Sequence, residues 1–136
     1  MLIDCWSDRL LYPDLRAKLK DEFESIYGDP DEFGKGKKVD LVLIENKSSG
    51  IALIQDLQQT RIPVRGYNPG HADKTTRLNI VAPMIEKGLM YLPESSEHEG
   101  QPRTWIQPFI SEICSFPLAR HDDYVDALSQ ALRYLR

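Results

Sequence analysis

Glu45 ends a nearly continuous apolar run, Val39-Asp40-Leu41-Val42-Leu43-Ile44-Glu45. A carboxylate this close to a core must be solvated, paired, protonated or bound to a metal. One reading is a strand-end glutamate that faces solvent or pairs with Lys47; the other is a metal ligand. His121-Asp122-Asp123 poses the same choice. Aspartate is a preferred N-cap, and an acidic first turn suits the helix dipole. Two adjacent aspartates, with Asp126 one turn further, exceed what capping needs. Clustered carboxylates repel one another unless a cation holds them, and hard oxygen ligands suit Mg²⁺ or Mn²⁺. Asp122 and Asp126 fall on one helix face. His121 could shuttle a proton or orient a water, or it is an ordinary surface histidine.

A basic stretch lies between these acids. It contains Arg61, Arg65, Lys74 and Arg77, with His71 and a Pro-Gly turn among them. These are either ordinary surface cations or phosphate contacts that flank the carboxylates. The run Lys35-Gly-Lys-Lys38 reads as a solvated loop.

The elements that must position these residues follow from periodicity. Residues 1–7 are rich in strand formers and predict a strand. Tyr12-Pro13-Asp14 opens a helical pattern carried by Leu15, Leu19, Phe23 and Ile26. Gly28 to Lys38 is polar and glycine-rich, a loop. The run 39–45 fits a central strand buried on both faces. Ser48-Ser49-Gly50 could cap the next helix, whose apolar face is Ile51, Leu53, Ile54 and Leu57. Residues 62–67 predict a short strand, with Pro63 near its start. A helix follows from about Asp73 to Glu86, with Leu78, Val81, Met84 and Ile85 inside and Gly88 as its stop. Residues 89–93 predict a strand and Glu94 to Pro102 a polar loop. Trp105 to Cys114 predicts a helix with Trp105, Phe109, Ile110 and Ile113 apolar; Pro108 leaves its start open. The last helix starts near Asp122, with Val125, Leu128, Leu132 and Leu135 on one stripe. Strand–helix alternation in the middle implies βαβ units and a parallel sheet segment. Sites in such sheets lie at the carboxyl ends of strands, where Glu45 stands.

Composition sets limits on these readings. Hydrophobic content of 41% and charged content of 28% match an ordinary globular chain, and 136 residues suit one domain. No apolar run has the length of a membrane span, and no signal-peptide pattern opens the chain. Cys5 and Cys114 match no ligand spacing and read as buried, reduced thiols of a cytoplasmic protein. The net charge of −4 argues mildly against a passive nucleic-acid coat. It is compatible with a nuclease, whose two-metal site is itself made of carboxylates.

Four stretches together resemble a known family. They are Leu43-Ile-Glu-Asn-Lys-Ser-Ser-Gly-Ile-Ala-Leu-Ile54, Asn68-Pro-Gly-His-Ala-Asp-Lys-Thr-Thr-Arg77, Ile85-Glu-Lys-Gly-Leu-Met-Tyr-Leu-Pro93 and Phe116-Pro-Leu-Ala-Arg-His-Asp-Asp-Tyr-Val-Asp-Ala-Leu-Ser129. In this order they resemble the C-terminal nuclease domain of tailed-phage terminase large subunits. The resemblance implies an α/β, RNase H-like fold, a partial mixed sheet with helices on both faces. It implies a metal-dependent endonuclease that cuts concatemeric double-stranded DNA with two Mg²⁺ or Mn²⁺ ions. Glu45 would be the second of three acids. The third falls in His121-Asp122-Asp123, with Asp123 favoured over Asp122 and Asp126 in support. Arg65, Lys74 and Arg77 would contact DNA. The phage portal and the small terminase subunit would be partners, with no membrane involved.

The chain departs from the family pattern at one end. The first two strands and the first acid have no counterpart, and no phosphate-binding loop of an ATPase is present. Asp4 is not at the missing position, judged by alignment of Tyr12-Pro13-Asp14-Leu15. The expected domain is therefore residues 1–136, N-terminally truncated. The strand at 1–7 then pairs with 39–45 in a new arrangement, or the open edge pairs with another chain, or the chain is a fragment. The competing function is a catalytically incomplete module that docks on DNA or the packaging motor. A resolvase or transposase of the same fold is a third reading, disfavoured by the Asp-Lys-Thr-Thr-Arg and His-Asp-Asp-Tyr-Val-Asp-Ala motifs.

Overall fold

Parallel pairing of two short strands through one helix is the centre of one half of the structure. A computed structural model of the chain describes residues 1–27 and 36–136. The loop expected over Gly28–Lys38 therefore lies mostly outside the described residues. The chain divides into two compact units, Asp8–Gly70 and Met1–Ser7 with His71–Arg136.

In the first unit, α1 spans Tyr12–Glu24 and carries Pro13 in its first turn. That position has no intrahelical donor to lose. Leu15, Leu19 and Phe23 of its apolar face are half-buried, while Ile26 falls beyond the helix and is exposed. Strand β1 is Val42–Glu45, α2 is Ser49–Gln58 and β2 is Val64–Tyr67. The two strands are parallel, with Val42 opposite Val64 and Glu45 opposite Tyr67. The expected βαβ unit is therefore present. Pro63 sits just before β2 and offers only its carbonyl, which accepts from Val42 N–H at 2.9 Å. Helix α2 packs on both strands and buries Leu53, Ile54 and Leu57. β1 is half-buried throughout rather than buried on both faces, which corrects the expectation of a central strand. Asp56 of α2 holds α1 through Arg16 at 2.5 Å.

In the second unit, α3 spans Lys74–Glu86, α4 spans Ile106–Ser115 and α5 spans Asp123–Leu135. Both α3 and α4 pack on α5. Val81, Ile106, Phe109, Val125 and Leu128 are its buried apolar residues. Pro108 lies in the first turn of α4, where no donor is required, so the helix starts undisturbed. Helix α3 ends as expected at Gly88, whose φ of +67° is left-handed. Gly88 N–H bonds Ile85 O and Leu89 N–H bonds Met84 O, a Schellman closure.

Two predicted strands did not form. Residues 1–7 and 89–93 carry no strand. One backbone bond, Leu2 N–H to Tyr91 O at 2.9 Å, joins them. Strand-forming residues stabilise a strand only through cross-strand and face packing, and a single bond provides no ladder. Residues 1–7 therefore offer no strand for the expected pairing with 39–45. The stripe on α5 also stops short, since Leu135 is exposed. Cys5 is half-buried, but Cys114 is exposed, against the expectation of two buried thiols.

Gly50 is a tight point against backbone in the first unit. A Cβ there would overlap the carbonyl oxygen of Glu45. Gly50→Ala therefore forces the turn after β1 away from α2. The expected cost is about 1–3 kcal/mol in urea unfolding, the range for overpacking; an unchanged midpoint would show that the turn yields freely.

Candidate active site

The start of α5 holds its acids in an unusual way. Asp122 is the N-cap residue, yet its side chain makes no capping hydrogen bond. The free donors of the first turn go elsewhere. Glu112 Oε1, from α4, accepts from Tyr124 N–H at 2.7 Å and from Val125 N–H at 3.4 Å. Asp123 is exposed and accepts from Ser7 Oγ at 3.4 Å. Neither aspartate is therefore occupied in capping its own helix. His121 is exposed just before them.

Cations from α3 meet this helix start. Lys74 Nζ lies 2.7 Å from Asp122 Oδ1 and 2.6 Å from Asp126 Oδ2. Arg77 donates to Asp126 Oδ1 at 2.5 Å. Arg77 is only 7% exposed, and its Nε has no hydrogen-bond partner. Asp122 and Asp126 share one face, as their spacing requires, and a single ammonium spans both. Burial works to lower the Lys74 ammonium, but the hydrogen bonds and charges of Asp122 and Asp126 outweigh it and raise its pKa. Asp73 caps α3 by accepting from Thr76 N–H at 2.7 Å. The bonds from Thr76, helped by the charge of Arg77, hold its carboxyl below the ordinary range.

Glu45 belongs to the other unit. It closes β1, and its Oε1 lies 3.1 Å from Lys47 Nζ. Ser48, three residues on, has a φ of 44° and makes no side-chain cap to α2. A left-handed non-glycine residue stores strain. Arg65 lies exposed on β2, opposite Leu43 in the register.

The family model for the Terminase RNaseH-like domain matches residues 17–135. The chain belongs to this family. No match was found among curated proteins or solved structures. The terminase domain is thus an RNase H-like, nuclease-type module of phage DNA packaging. Its two-stranded parallel sheet with helices is a partial form of that α/β fold.

Within this terminase domain the structure brings Lys74, Arg77, Asp122 and Asp126 together, and Ser7 to Asp123. Among the described residues, no group of three or more His, Cys, Asp or Glu is arranged to hold a metal ion. The acids at the α5 start are carboxylates free of capping, and the Lys74 ammonium lies between Asp122 and Asp126. Sequence reasoning missed Glu112 and Ser7. Glu112 had no local signal, because its partners lie 12 and 13 residues away on the next helix. Cys5 sits near Glu112, and burial, with Asp4 and Glu112, pushes its thiol up to about 11. It stays protonated at neutral pH.

Two expected outcomes follow from the α3–α5 charges. Arg77→Ala leaves Asp126 with Lys74 alone. Because Asp126 is partly exposed, the loss should be about 2–3 kcal/mol by urea unfolding, below the full cost of an orphaned buried charge. A loss under half of that would show that the pair is dispensable. The lowered Asp73 carboxyl stabilises the folded state above the unfolded value of 3.8 and loses that effect as pH falls through its folded value. The advantage of wild type over Asp73→Asn should therefore hold above about pH 5 and shrink as pH falls below about 4; a constant gap in denaturation midpoints would contradict this.

Proposed function

We propose that this domain is a metal-dependent endonuclease that cuts concatemeric double-stranded DNA during phage packaging. The observation that carries the reading is the Asp122–Asp123 pair, released from capping at the start of α5 in a chain of the terminase family. Asp123 and Asp122 would hold the cation, and by the family resemblance Glu45 would be a further catalytic acid. Two Mg²⁺ or Mn²⁺ ions, when bound, would supply an acidified water and stabilise the leaving oxygen.

The chain's own residues then have distinct tasks. Arg77 fixes Asp126 and, through the helix, the direction of the first turn. Lys74 neutralises Asp122 and Asp126 and can turn its ammonium toward a DNA phosphate when a cation takes its place. Arg65 offers an exposed guanidinium for the backbone. Such contacts position DNA without reading its sequence. His121, exposed beside the acids, is placed to orient a water. The packaging role implies the host cytoplasm as the setting, with DNA, the portal and the small subunit as partners.

A second reading is favoured by the ion pairs themselves. Lys74 and Arg77 already neutralise Asp122 and Asp126, as in a module that docks on DNA or the motor without cutting.

Plasmid nicking separates the two. With Mn²⁺ the wild-type chain should convert supercoiled DNA to open circles. Glu45→Ala and Asp123→Asn should reduce this to background while DNA retention in a gel shift persists. Retention without nicking by wild type, at every Mn²⁺ concentration, would leave the docking module.

A further inference from the structure

Lys74 is the first helical residue of α3, next to the N-cap Asp73. A cation there faces the positive end of the helix dipole, an end that favours anions. Two carboxylates from α5 hold it in place, Asp122 at 2.7 Å and Asp126 at 2.6 Å. The two cations of this network differ in burial. The Arg77 side chain is 8% exposed and fixed on Asp126, whereas that of Lys74 is 38% exposed and that of Asp122 41%. Exposed ion pairs are weak, because water screens them and the long lysine chain loses freedom in them. A phosphate that reaches this surface competes for the same ammonium and also gains from the positive end of α3. If Lys74 leaves, Asp126 keeps Arg77. Asp122 has no such reserve: among the described residues, Lys74 is its only ion-pair partner.

We propose that the Lys74–Asp122 ion pair is an autoinhibitory contact: in the free domain Asp122 holds the ammonium that a DNA phosphate takes over on binding, and the same exchange uncovers the Asp122 carboxylate. This rests on the reading of the domain as one that acts on DNA, and it requires no divalent cation. Arg77 keeps the exchange local, since it ties α3 to α5 through Asp126 while Lys74 moves. The flexible four-carbon stem of lysine gives the ammonium its reach, which a planar, doubly bonded guanidinium would lack.

The test uses the full chain in EDTA, with a short DNA duplex of mixed sequence as the probe. Affinity is measured over a range of salt concentrations, and the Asp122 side-chain carboxyl signal is followed by carbon NMR. Methionine keeps the length of Lys74, and asparagine is as good an N-cap as aspartate, so both variants should fold. Lys74→Met should weaken binding and lower the slope of log affinity against log salt by about one, the loss of one phosphate contact. Asp122→Asn should keep the wild-type slope and raise affinity about 2–5-fold, the size of one exposed ion pair that no longer competes. Saturating wild type with DNA should move the Asp122 carboxyl signal toward its position in free Lys74→Met. A signal that DNA leaves unmoved overturns the proposal, because Lys74 then stays on its carboxylates. An unchanged salt slope in Lys74→Met overturns it as well. If wild type binds no duplex even at low salt, the DNA reading itself fails, and the proposal with it.

Discussion

Asp126 and its two cations are the interaction on which the candidate site depends. Arg77 is almost wholly buried, and a buried guanidinium without a counter-charge is costly. Asp126 supplies that charge at 2.5 Å, and Lys74 closes the other side at 2.6 Å. The planar guanidinium holds one carboxylate oxygen in a fixed direction, which a flexible ammonium would not do. Helices α3 and α5 are therefore joined by charge as well as by Val81, Val125 and Leu128. The junction thus lies in the first turn of α5, next to the paired acids.

The same helix start divides two tasks that one residue usually performs. Asp122 marks the N-cap, while Glu112 satisfies the donors. Lys74 then occupies the side of Asp122 that capping would have used. The turn after β1 shows a related economy in the other unit. Gly50 lets α2 approach the Glu45 carbonyl, and Ser48 accepts a left-handed backbone next to it. Glu45 thus stands where the backbone is held tightly by its neighbours.

Local order made much of this legible in advance. The βαβ unit was readable because each element carries its own period, and the connection between parallel strands leaves few topologies. Helices α3, α4 and α5 followed from apolar spacing and from Gly88. The family could be read from motifs in order. The strands at 1–7 and 89–93 failed for a different reason: strand propensity reports fitness for a sheet, and whether a neighbouring strand is in reach is not a local property.

The sequence by itself determined the residue types at Glu45, Asp122, Asp123 and Asp126, the helices that carry the aspartates, and the family. Each of these depends on contacts within one element or on order along the chain. Tertiary structure alone decided what those acids are free to do. Arg77 proved to be a buried partner of Asp126 rather than an open surface cation, because α3 and α5 pack face to face. Capping passed from Asp122 to Glu112, because α4 brings a longer carboxylate to the same two donors. Charge pairing and donor satisfaction act across elements, so no spacing along the chain could have revealed either.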